Sequence, residues 1–83
     1  MNMNADEVTN RLLANLSEYT GKPADTFQIT ERLDSQGVDS LTLTFLLADL
    51  EQILGSPVPR ADLRKLTSIE SFVEYATEAK RTA

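Results

Sequence analysis

The sequence has no cysteine, no histidine and no tryptophan, and its 83 residues include only three glycines and three prolines. Without cysteine there is no disulfide framework, no thiolate nucleophile and no cysteine metal site, so a reducing cytoplasm is the expected location. Without histidine the chain lacks the commonest general base near neutral pH and the commonest metal ligand. Carboxylates, lysines, hydroxyls and two tyrosines remain, and a domain of this size has little volume in which to enclose a substrate. The chain is therefore expected to hold no metal, to catalyse nothing by itself, and to bind or carry. Long apolar runs are missing too: none approaches the roughly 20 residues that span a bilayer. The start, MNMNADEV, has neither the basic nor the apolar region of a leader, so the mature chain is expected to begin near Met1.

What is present is acid: 13 acidic against 8 basic side chains give a formal charge of −5. That balance opposes docking on nucleic acid or an anionic membrane and favours basic protein partners. The length fits one domain over residues 1–83, expected to be a monomer, and is long enough to build a core without staples.

Proline and glycine mark the joints. Over residues 4–20, Val8, Leu12, Leu13, Leu16 and Tyr19 recur at spacings of three and four and share one helical face. Asn4 with Glu7 forms a capping box, and Gly21 stands where a helix end needs a left-handed residue. Residues 21–39 show no sustained helical period, but Phe27, Ile29 and Leu33 are spaced to pin a long loop onto a core. Residues 41–54 read as the strongest helix, with Leu43, Leu46, Leu47, Leu50, Ile53 and Leu54 on the helical template, closed by Gly55 and Pro57. A short helical turn is expected at 61–66. A last helix opens with TSIE, in which Thr67 or Ser68 caps and Glu70 reaches back, carries Ile69, Phe72, Val73 and Ala76 along one stripe, and frays into EAKRTA. No strand pattern appears, so the expected fold is all-α: a four-helix bundle of three main helices and one short one.

Chemistry concentrates in LDSQGVDSLTLTFLLADLE, residues 33–51. A glycine turn delivers Asp39 and Ser40 to the start of the most hydrophobic helix, where free backbone amides and the positive end of the helix dipole tolerate a phosphate ester on the hydroxyl. The plain alternative is that Asp39 or Ser40 is only an N-cap, worth about 1 kcal/mol. No base stands near Ser40 to activate it as a nucleophile, and a triad without histidine would need the rarer lysine variants.

A long loop ending in GVDSL, a leucine-rich helix closed by glycine, a proline-containing link, a short helix and a final amphipathic helix together resemble an acyl or peptidyl carrier protein over nearly the whole chain. The resemblance implies that Ser40 receives a covalent 4'-phosphopantetheine from coenzyme A, attached by a separate phosphopantetheinyl transferase using magnesium. It implies further that an acyl- or aminoacyl-loading enzyme and downstream biosynthetic enzymes are partners. Asp39 would contact the transferase, and Leu41 would partly face partner enzymes, with ordinary core packing as its equal alternative. The thiol that thioester chemistry requires, absent from the chain, would come with the arm.

Two departures from carriers of fatty-acid synthesis stand out. The acidic stripe of the helix after the serine is thinned to Asp34, Asp39, Asp49 and Glu51, with Thr42, Thr44 and Phe45 in its first turns; Phe45 and Asp49 are expected partner contacts, Phe45 either exposed or folded back onto the Phe27 loop. The short helix is basic through Arg60, Arg64 and Lys65, read first as a solvated face and alternatively as an element that repels basic docking patches. Both tilt the expected role toward polyketide, nonribosomal peptide or related biosynthesis by a freestanding carrier. Leu43, Leu47, Leu50 and Val58 could line a cleft for cargo, though plain core packing is the simpler expectation for them. The rival reading is a non-catalytic helical interaction adaptor; a helix-turn-helix DNA binder is opposed by the acidic charge.

Overall fold

A computed structural model describes residues 3–82. Helix α1 spans Ala5–Thr20, α2 spans Ser40–Leu54 and α3 spans Ile69–Thr82, with short 3-10 turns at Ala24–Thr26, Asp34–Gln36 and Arg60–Lys65. No strand occurs among the described residues, and no helix there is long and apolar enough to cross a membrane. The expected all-α arrangement of three main helices and one short one is what forms, the short one being 3-10.

Local chemistry fixes the ends of α1. The Asn4 side chain accepts from the Glu7 amide at 2.8 Å while Glu7 Oε1 accepts from the Asn4 amide at 3.1 Å, closing the capping box. Gly21, at φ +74°, returns its N–H to the Ser17 carbonyl. Gly55 ends α2 in the same left-handed manner; a side chain there would be strained at no gain.

The core is a single cluster in which Val8, Leu12 and Leu16 of α1 meet Leu46 and Leu50 of α2 and Ile69, Phe72, Val73 and Ala76 of α3. Leu50 and Val58, weighed above as lining for a cargo cleft, belong to this core, being 0% and 8% exposed. Within the long loop, Phe27 and Leu33 are buried as expected, but Ile29 is 39% exposed. The loop is tied instead through backbone: Leu33 N–H donates to Thr67 O and Glu70 N–H donates to Ile29 O, each at 2.8 Å.

That second bond bears on the start of α3, where Glu70 does not reach back. The box is built by Ser68 and Ser71: Ser71 N–H donates to Ser68 Oγ at 3.1 Å, and Ser71 Oγ accepts from the amides of Ser68 and Thr67 at 2.9 and 3.0 Å. Ser68 itself is buried, so its partners must come from within the protein. Helix α3 continues through Thr82 where fraying was expected, in keeping with the strong helix propensity of Glu, Ala, Lys and Arg. The expectation about Met1 lies outside the described residues.

Candidate functional site

The loop before α2 is a scaffold for one exposed hydroxyl. Gln36 clamps it, its side-chain oxygen accepting from the Gln28 amide at 2.7 Å and its side-chain nitrogen donating to the Gln28 carbonyl at 3.0 Å. Gly37 then turns the chain at φ +84°, a conformation that L side chains rarely adopt. Val38 buries its side chain, 4% exposed, and returns its N–H to Leu33 O. Asp39 caps α2, its Oδ1 accepting the Thr42 amide at 2.8 Å. Ser40 comes next, exposed, as the first residue of the helix.

The cap is therefore Asp39, and of the two residues weighed for that job Ser40 is released from it. Its hydroxyl has no hydrogen-bond partner among the described residues; only its carbonyl is engaged, by Thr44 Oγ1 at 2.9 Å. The helical ladder begins with Leu43 N–H donating to Asp39 O, so the amides of Ser40 and Leu41 precede it at the positive end of the helix dipole. The Thr42 amide holds the Asp39 carboxyl below the usual carboxylate range, and Asp39 is ionised at neutral pH. A serine ester of a phosphate fits this position: the hydroxyl is accessible, unpaired and beside open amides.

Leu41 is 61% exposed, which excludes core packing for it. Phe45 is 44% exposed and is not folded onto the Phe27 loop; it lies against Tyr19 of α1, ring centroids 5.3 Å apart. Tyr19, expected on the buried face of α1, is itself 40% exposed, although Leu16 on the same face is fully buried.

Each of the four acids left in the thinned stripe has a partner inside the chain. Asp34 takes a two-point bond from the Arg32 guanidinium, Asp39 caps α2, Asp49 accepts the Tyr19 hydroxyl at 2.7 Å, and Glu51 accepts the Val58 amide at 2.8 Å. On the short helix, Lys65 pairs with Asp62 at 3.3 Å, whose carboxylate also accepts the Tyr75 hydroxyl at 2.7 Å. Arg60 and Arg64 are exposed and form no ion pair among the described residues.

One turn along α2 from Ser40, Thr44 opens a groove of about 180 Å³ walled by Leu43 and Leu47 of α2, Leu63 and Leu66 of the short helix, and Phe72 of α3. Two of the four cleft residues weighed from sequence lie in it. Its other apolar walls, Leu63, Leu66 and Phe72, could have been found only by knowing how the short helix crosses the bundle.

Residues 10–76 match the family described as "Phosphopantetheine attachment site". The chain is also similar to the acyl carrier protein of Thermotoga maritima, with 34% identity over 73 residues that cover 84% of this chain and 88% of that protein.

Proposed function

The chain belongs to the phosphopantetheine attachment family of carrier proteins, which hold the group covalently on a serine, and from that premise we propose that Ser40 is the serine and that residues 1–83 act as one carrier domain. The observation that carries the reading is the exposed, unpartnered hydroxyl at the first position of α2. When attached, the group supplies a terminal thiol for thioester chemistry. The chain's own residues do the presenting: Val38 anchors, Asp39 caps and meets the transferase, Ser40 is offered, and Leu41, Phe45 and Asp49 stand on the same stripe of α2 toward partner enzymes. The protein works in the cytoplasm, catalyses no step itself, and receives its acyl or aminoacyl group from a separate loading enzyme.

The pathway we propose is a specialised one, of the polyketide or nonribosomal peptide kind. Its support is electrostatic: the acids of α2 are few and already engaged, and Arg60 and Arg64 add unpaired positive charge. Like charge across an interface lowers association rates and affinity, so enzymes with basic docking patches are disfavoured. Reversing Arg60, Arg64 and Lys65 to glutamate is expected to raise the rate of the loaded protein with a fatty-acid ketosynthase about tenfold or more, about 1.4 kcal/mol of interaction. No gain would remove the pathway assignment and leave the carrier role intact.

The groove beside Thr44 shelters part of an apolar cargo. A groove this small covers only a few carbons, each buried CH₂ being worth about 0.8 kcal/mol. The form loaded with an eight-carbon chain is accordingly expected to melt several degrees above the acetyl form; equal melting temperatures would mean that the chain stays in solvent.

A further inference from the structure

Between Phe27 and Leu33 the loop before α2 buries no side chain: residues 28–32 are all exposed. Hydrogen bonds hold this stretch instead, and one side chain makes most of those that join it to the turn before Ser40. Gln36 Oε1 accepts from the Gln28 amide at 2.7 Å, and Gln36 Nε2 donates to the Gln28 carbonyl at 3.0 Å. The carboxamide thus pairs with both backbone groups of a residue eight positions away. Its nitrogen has a second hydrogen to give, and the Glu31 and Arg32 carbonyls lie at 3.3 and 3.4 Å to share it. The segment so held is fixed in turn to α3, where Ile29 O accepts from the Glu70 amide at 2.8 Å.

The residue that follows gives this fastening its consequence. Gly37 stands at φ +84°, and a glycine left unconstrained visits positive and negative φ about equally. Through it the loop hands over to Val38, Asp39 and Ser40. Its freedom is bracketed on both sides. Gln36 is bonded back to Gln28 before it, and after it Val38 is buried, with its N–H donating to Leu33 O at 3.2 Å. Without the Gln36 side chain, the backbone that enters the glycine would be held only by the short bonds of the 3-10 turn at Asp34–Gln36.

We propose that Gln36 is a positioning residue for the loading of Ser40: its carboxamide holds the turn from Gly37 to Ser40 in the one shape that a transferase engages. The proposal rests on the carrier reading. In loading, the Ser40 oxygen bonds to the pantetheine-side phosphorus of coenzyme A and the bond from that phosphorus to the bridging pyrophosphate oxygen breaks. Adenosine 3',5'-bisphosphate leaves, and the hydroxyl proton passes to a base of the transferase. Such a displacement tolerates little misplacement of the attacking oxygen. A turn that samples several shapes is bound only through its competent fraction, so apparent affinity falls with that fraction while the rate within the bound complex is unchanged. Loss of the Gln36 carboxamide therefore acts on KM and not on kcat.

The test measures loading of the full chain by a broad-specificity transferase with coenzyme A and magnesium, the carrier concentration being varied, and follows hydrogen exchange of single amides by NMR. Gln36→Met keeps the length of the side chain and removes its hydrogen bonds; Gln36→Ala removes both. Each is expected to raise the KM for the carrier about fivefold or more, with kcat within about twofold of the parent chain. Each is also expected to speed exchange at the Val38 amide about tenfold, and at the Leu46 amide in the core far less. Ile53→Ala is the control: Ile53 packs half-buried against the core, about 20 Å along α2 from Ser40. It is expected to lower the melting temperature and leave KM unchanged, which separates positioning from plain loss of stability. An unchanged KM in both Gln36 variants, a fall in kcat in its place, or equal acceleration at Val38 and Leu46 would overturn the positioning role. A parent chain that the transferase never loads defeats the carrier reading and this role with it; a loaded parent with indifferent Gln36 variants defeats the positioning role alone.

Discussion

Ser40→Ala will take up no phosphopantetheine from coenzyme A under a broad-specificity transferase, and it will melt within a few degrees of the parent chain. Both halves follow from the first turn of α2. Uptake needs a hydroxyl oxygen at a spot a second enzyme can reach, and Ser40 is the exposed residue that follows the cap. Stability does not need that oxygen, because no group among the described residues bonds to it, and alanine is the best helix former at an exposed helical position. Asp39→Ala provides the contrast. It removes the acceptor for the Thr42 amide and is expected to cost about 1 kcal/mol, while the hydroxyl stays available. If Ser40 were only a cap in an adaptor, the two variants would exchange their stability behaviour and neither would alter any modification. Intact mass and a melting curve on each variant decide between these outcomes.

Leu46→Ala will destabilise the fold by about 3–5 kcal/mol, the range for truncating a fully buried leucine where the neighbours relax only in part. Leu46 is 0% exposed and sits where α2 meets α1 and α3. A domain of this length has roughly 4–12 kcal/mol of total stability. At about 4–8 °C per kcal/mol for a chain of this size, the melting temperature is expected to fall by more than about 10 °C. The neighbouring Phe45→Ala removes a larger side chain at a far smaller cost, because its ring is 44% exposed and packs on Tyr19 rather than in the core. Chemical denaturation of the two variants in parallel tests the assignment of adjacent residues to core and surface; similar losses would contradict it.

The long helices were legible because their determinants are local. Asn4 and Glu7 cap α1 from within one turn, Gly21 and Gly55 end α1 and α2, and the leucine spacing of α2 needs no tertiary partner to be seen. The turn that presents Ser40 was legible for the same reason, since a glycine turn, a cap and a serine occupy four consecutive positions. Periodicity tells which residues share a face and not how much of that face a neighbour covers. Tyr19 lies on the apolar face of α1 yet is 40% exposed, and Ile29 is spaced like an anchor while its backbone carbonyl does the anchoring. At the start of α3 the TSIE pattern pointed to Glu70, but its amide is bonded to Ile29, and the box shifts one residue onward to Ser68 and Ser71. The acids from Asp34 to Glu51 show the same limit: composition reveals a charge, and only packing reveals that Arg32, the cap of α2, Tyr19 and Val58 had already engaged it.

The most direct measurement is fragmentation mass spectrometry of the wild-type chain after incubation with coenzyme A, magnesium and a phosphopantetheinyl transferase. One addition should appear, and the fragments should assign it to the hydroxyl at position 40, with Ser35, Thr42 and Thr44 unmodified. An addition on any of those three, or a chain that gains no mass under a transferase that loads a known carrier in the same tube, would contradict the account.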